Sequence, residues 1–69
     1  MKVYVEKEDK LLELKLSELK GINNIKGLLD NLTINPSTVL TVKNNEVVLE
    51  DELLEDTDEI KILSVISGG

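Results

Sequence analysis

The spacing of apolar residues changes period along this chain, and those changes limit what it can fold into. In Leu11-Leu12-Glu13-Leu14-Lys15-Leu16 the alternation turns Leu12, Leu14 and Leu16 inward and Glu13 and Lys15 outward, the two-residue repeat of a half-buried strand. From Asn24 the repeat lengthens. Ile25, Leu28, Leu29 and Leu32 stand at i, i+3, i+4 and i+7, one face of a helix of about two turns. Thr38 to Lys43 alternates again, with Leu40 and Val42 on one face. One short helix must therefore be accommodated among strands.

The remaining elements follow from local chemistry. Met1 to Val5 reads as a strand with Val3 and Val5 on one face, and the charged run Glu6-Lys7-Glu8-Asp9-Lys10 turns the chain so that the second strand pairs antiparallel with the first. Ser17 to Asn23 is a connector containing Gly21. Asn24 is placed to cap the helix, its side-chain oxygen accepting an otherwise orphan amide hydrogen. Gly27 inside the helix costs about 1 kcal/mol relative to alanine, so packing rather than propensity must hold it. Asn35-Pro36 forbids its continuation. Asn44-Asn45 can adopt the positive φ of a tight hairpin, with Val47 and Val48 as the return strand. Glu50 to Glu55 is expected to form a helical turn pinned by Leu53 or Leu54, and the turn Asp56-Thr57-Asp58 launches a last strand with Ile60 and Ile62 inward.

The order is strand, strand, helix, strand, strand, strand. One helix cannot cover both faces of such a sheet, so the expected class is α+β, a mixed sheet wrapped over the helix in the β-grasp arrangement. Its first and last strands run parallel at the centre, and the crossover supplies the helix. Sixty-nine residues make one domain, 1–69, and a chain of this size buries only about 60% of its unfolded surface.

Composition removes much enzyme machinery. Without cysteine or histidine there is no thiol nucleophile, no Cys/His zinc site and no imidazole base. A net charge of -6 with no arginine argues against a nucleic-acid partner and for a basic protein surface. The acidic residues Glu50, Asp51, Glu52, Glu55, Asp56, Asp58 and Glu59 lack the ligand spacing and glycine of a calcium loop, and are read as a solvated surface, with no metal site. No stretch approaches the roughly 20 apolar residues of a membrane span, and no leader is evident, so a cytoplasmic protein is expected, monomeric when free.

The informative feature for function is the ending Val65-Ile66-Ser67-Gly68-Gly69. Apolar residues continue to Ile66, so order should persist nearly to the end and leave residues 66–69 as a projecting strip of about 13 Å at about 3.3 Å per residue. Glycines lack Cβ and let another backbone approach closely, which suits a tail that enters an enzyme channel. Leu63 is expected on the outer face by alternation with Ile60 and Ile62, where with Val65 it could form a docking patch beside the tail or, equally, cover the edge of the core.

The hairpin Val42-Lys43-Asn44-Asn45-Glu46-Val47, the acidic turn Asp56-Thr57-Asp58-Glu59 and the ending Val65-Ile66-Ser67-Gly68-Gly69 together resemble the ubiquitin-like sulfur carriers. That family includes the thiamine-biosynthesis carrier, the small subunit of molybdopterin synthase and the archaeal small modifier proteins. The chain departs from its commoner patterns at Thr57 and Asn45, where glycine is frequent, at Leu49-Glu50, where the thiamine carrier often has Pro-Arg, and in the longer stretch before the helix. The resemblance implies a carrier that is not itself an enzyme and binds no cofactor. A partner, an ATP-dependent adenylating enzyme of the ubiquitin-activating kind, would activate the Gly69 carboxylate, and a sulfur donor would convert it to a thiocarboxylate. Gly68, Ser67 and Ile66 would be recognised as the tail, and Leu63 and Val65 as the docking patch. The acceptor expected from the ending and the short length is thiazole synthase of thiamine biosynthesis. The large subunit of molybdopterin synthase, or lysines of target proteins to which the same glycine is conjugated, are alternatives. A passive ubiquitin-like binding module with an inert tail is the alternative of another class.

Overall fold

The computed structural model describes residues 1–65. Its strands are β1 (Lys2–Val5), β2 (Lys10–Glu13), β3 (Val39–Lys43), β4 (Glu46–Val48) and β5 (Glu59–Ser64), with one helix, α1 (Ile25–Asn31), and 3-10 turns at Glu6–Glu8, Leu16–Glu18 and Pro36–Thr38. Among the described residues the strands form one mixed sheet in the order β2-β1-β5-β3-β4. The β1–β5 pair at its centre is parallel and the others are antiparallel, which is the β-grasp arrangement expected.

Alternation decides which residues meet the helix. Val3 opposes both Leu12 and Ile60, and Val5 opposes Ile62, so these side chains share the inner face. Ile25, Leu28 and Leu29 of α1 close over them, and all of Val3, Ile25, Leu28, Leu29, Ile60 and Ile62 are essentially fully buried. Each large aliphatic side chain so removed from water contributes about 1.5–3 kcal/mol. Leu19, in the connector before the helix, and Leu54, after β4, complete the core.

The helix start shows how the chain satisfies its orphan donors. Asn24 accepts the Gly27 amide hydrogen through its side-chain oxygen at 2.9 Å, as the sequence implies. The two amides before it are capped from a distance: Ile25 donates to the Glu52 carbonyl at 3.0 Å and Lys26 to the Glu50 carbonyl at 2.9 Å. Glu50 to Glu55 are consequently not the helical turn expected. After a turn closed by the Glu52 amide on the Leu49 carbonyl, the chain is extended, and Leu53 forms a bridge with Asn24. Leu54 is buried while Leu53 stays 62% exposed. Gly27 also acquires a reason, because a Cβ there would sit 3.3 Å from both Asn24 Oδ1 and Ile22 Cγ2.

The second strand ends sooner than its leucines suggest. β2 stops at Glu13 and Leu16 opens a 3-10 turn, although Leu12, Leu14 and Leu16 all pack against the core. The Leu16 amide is held at 2.7 Å by Asp56 Oδ1, so this departure from the sheet is anchored. Asn44 and Asn45 have φ of 50° and 70°, the left-handed pair a two-residue hairpin needs.

Candidate functional site

The end of β5 is built to be rigid. It lies between β1 and β3; past the last β1 pair, Val5 with Ile62, the Ser64 amide donates to Glu6 Oε1 at 3.1 Å, and past the last β3 pair, Val39 with Ser64, the Val65 amide donates to the Thr38 carbonyl at 3.1 Å. Glu6 comes from the turn after β1 and Thr38 from the turn before β3, so order reaches Val65 through contacts on both flanks. Ile66, Ser67, Gly68 and Gly69, to which the sequence assigns tail recognition and activation, lie outside the described residues.

Leu63 lies on the outer face, directly opposite Leu40 of β3, and is half-buried. It is absent from the cluster packed under the helix. Val65, two residues on, is 55% exposed and Leu40 38% exposed. A second row runs beside them across every strand, Val47-Val42-Lys61-Tyr4-Leu11. The outer face thus carries a broad apolar surface with one lysine at its centre, reaching Val65 at the end of the described residues.

Sequence reasoning missed most of this surface. Leu40 and Val42 do share a face, but it is the outer one: Thr41 opposes the buried Ile62 and is itself buried. Parity says which residues go together; only the register with β5 says which way they turn. Tyr4 belongs to the surface too, its hydroxyl donating to Asp9 Oδ1 at 2.8 Å. That bond, with burial and the nearby Asp9 and Glu6 carboxylates, raises the phenol above its ordinary pKa.

The acidic run is only partly the solvated surface expected. Asp58 is buried, accepting the Glu55 amide at 2.7 Å and the Asn44 side-chain amide at 3.0 Å. Lys43, on the inner face of β3, donates to Glu52 Oε2 at 3.0 Å and to the Leu53 carbonyl at 2.8 Å, with Asp58 Oδ2 at 3.7 Å. The Glu52 hydrogen bond raises the Lys43 pKa, burial opposes it, and the Asp58, Glu52 and Glu55 charges add to the rise. Asp56 holds Leu16. Glu50, Asp51, Glu55 and Glu59 remain exposed, and among the described residues no group of three or more acidic side chains converges as a metal site would require. No helix among them is long and apolar enough to cross a membrane.

Comparison with known proteins agrees with the architecture. The pattern of the ThiS family matches residues 4–69, nearly the whole chain. The sulfur carrier protein TtuB of Thermus thermophilus is 43% identical over 61 residues, covering 87% of this chain and 92% of that protein. An uncharacterized protein of Archaeoglobus fulgidus is 48% identical over 42 residues, 61% of each. Such carriers are small substrates of other enzymes, an adenylating partner and a sulfur-accepting one, rather than enzymes themselves. With its five-stranded mixed sheet folded over one helix and a family match reaching its final glycine, this chain belongs to the ThiS family of ubiquitin-like sulfur carriers.

Proposed function

We propose that the Gly69 carboxylate is the sulfur-bearing group. One observation carries the reading: β5 is hydrogen-bonded on both flanks up to Val65, and the Ile66-Ser67-Gly68-Gly69 sequence follows at once. Extended, four residues reach about 13 Å, enough to enter a closed site while the domain stays outside. An adenylating enzyme docks on the outer face at Leu63 and Val65 and receives the tail, with Gly68, Ser67 and Ile66 as the recognised strip.

The chemistry follows from the carboxylate. A carboxylate oxygen attacks the α-phosphorus of ATP and pyrophosphate leaves, which turns a poor acyl donor into an acyl-adenylate. A sulfide-level donor then attacks the acyl carbon, AMP departs, and a thiocarboxylate remains. Water must be excluded meanwhile, since it would hydrolyse the adenylate. The small glycines allow the enzyme's backbone to close around the chain. The first acceptor to test is the thiazole-forming synthase of thiamine biosynthesis, with the molybdopterin precursor second.

Incubation with ATP, a cognate activating enzyme and a sulfur donor should shift the intact mass by the difference between sulfur and oxygen. Deletion of Gly69 should abolish the shift. An unchanged mass with an enzyme shown to be active on another carrier defeats the reading. Adding each acceptor enzyme separately to the thiocarboxylate form then identifies which one returns the carboxylate.

A further inference from the structure

One edge of the sheet is left open by the way its hairpin is built. Among the described residues β4 ends the strand order and pairs with β3 alone. Across a two-residue loop the flanking residues, Lys43 and Glu46, exchange backbone hydrogen bonds, so Thr41 and Val48 do likewise while Val42 and Val47 do not. The Asn44 amide fits this phase, since it donates to the Glu59 carbonyl of β5 at 2.8 Å and so sends Val42 to the same side. The N–H and C=O of Val47 therefore point away from the sheet.

Beside this edge the chain turns off toward the helix start and leaves a groove of about 680 Å³, lined with apolar atoms from Leu29, Pro36, Val39, Leu40, Val48 and Leu49. Leu49 is 76% exposed, the most open of the large apolar side chains described, and Val47 is 61% exposed. Glu50 and Asp51 line the groove with Lys26 as the cation among them, and Glu46 stands on β4 itself. An open edge with exposed apolar side chains is a template for another strand. A second copy is disfavoured as that strand: edge-to-edge pairing would set Glu46, Glu50 and Asp51 of each chain against those of the other, in molecules of net charge -6.

We propose that the β4 edge and its groove bind an extended segment of a partner protein by strand addition, the segment alternating apolar residues and ending in lysine or arginine. Its backbone pairs with Val47, one apolar side chain enters the groove, and its basic ends meet Glu46, Glu50 and Asp51. Binding here does not involve Gly69, so the surface stands whether or not the tail carries sulfur.

The test is an NMR titration of the isotopically labelled chain with a synthetic peptide alternating valine and threonine and closed at both ends by paired arginines. Expected are saturable shifts at Val47, Val48 and Leu49, slowed exchange of the Val47 amide, and affinity that falls as salt rises. Val47→Pro removes the outward donor without touching a β3–β4 hydrogen bond and should abolish binding with the hairpin intact. The pair Glu50→Lys and Asp51→Lys, both exposed, should weaken it by about tenfold, and Glu13→Lys, exposed on β2 at the opposite edge of the sheet, should leave it unchanged. Shifts confined to the Leu63 face, equal binding of a peptide with glutamates for arginines, wild-type binding by a folded Val47→Pro, or sedimentation of the free chain as a dimer lost in Val47→Pro would each overturn the proposal.

Discussion

The Lys43 ammonium and the Asp58 carboxylate approach to 3.7 Å at the closed end of the sheet, with Asp58 only 4% exposed. Removing the carboxylate would leave the Glu55 amide and the Asn44 side-chain N–H without their acceptor, while Lys43 keeps Glu52 and the Leu53 carbonyl. Asp58→Ala should therefore cost about 2–3 kcal/mol in denaturant unfolding, against a few tenths for Glu59→Ala, whose side chain is exposed. A midpoint unchanged in Asp58→Ala would show that the network contributes little.

Stability should decline at alkaline pH with an identifiable origin. The Lys43 pKa is raised chiefly by its Glu52 hydrogen bond, so its contribution is fully present below the ordinary lysine value, near 10.4, and is lost as pH climbs through the raised one. Tyr4 shifts the same way, through its bond to Asp9, and adds a loss starting near 10. Thermal melts from neutral to strongly alkaline pH should fall in the wild type and fall less in Lys43→Met and in Tyr4→Phe. Equal slopes in all three would contradict this assignment.

The helix cap can be weighed alone. Asn24→Ala leaves the Gly27 amide without its acceptor and should cost about 1 kcal/mol. Gly27→Ala should yield less than the propensity gain of about 1 kcal/mol, because the new methyl meets Asn24 Oδ1 and Ile22 Cγ2 at 3.3 Å. With Asn24 already replaced by alanine, one of those contacts is gone and the same substitution should become more favourable. A double-mutant cycle on melting curves checks both, and strict additivity would refute the coupling.

The docking role proposed for Leu63 should separate from folding at the neighbouring position of β5. Leu63→Asp should reduce the rate of adenylation at limiting enzyme by about tenfold or more while the melting temperature moves only a few degrees. Ile62→Asp, which buries a charge at a 1% exposed site, should unfold the domain. Unfolding by Leu63→Asp would return that residue to the core.

The sheet order and the helix were legible because they rest on strong periodic signals: Val3 and Val5, Ile60 and Ile62, and Ile25, Leu28 and Leu29 all lie inward as their spacing requires. What sequence could not supply was register. Leu40 and Val42 face out because Thr41 is paired with Ile62, a contact between residues far apart in the chain. Asp58 looked like one more surface acid because its donors come from Asn44 and Glu55, and Leu19 looked like connector because no repeat marks it. The candidate site was half legible: the Leu63 position followed from alternation, whereas the companions on its face, Leu40, Val42, Tyr4 and Val47, needed the strand pairing.

The acidic connector after β4 has a consequence for how this domain tolerates change. Because the Glu50 and Glu52 carbonyls terminate the first amides of α1, lengthening the chain between Leu49 and Leu54 would unseat a helix encoded well upstream. Surface loops ordinarily absorb insertions at small entropic expense. This one behaves as a clasp, so natural length variation should concentrate elsewhere, as in the stretch 17–22.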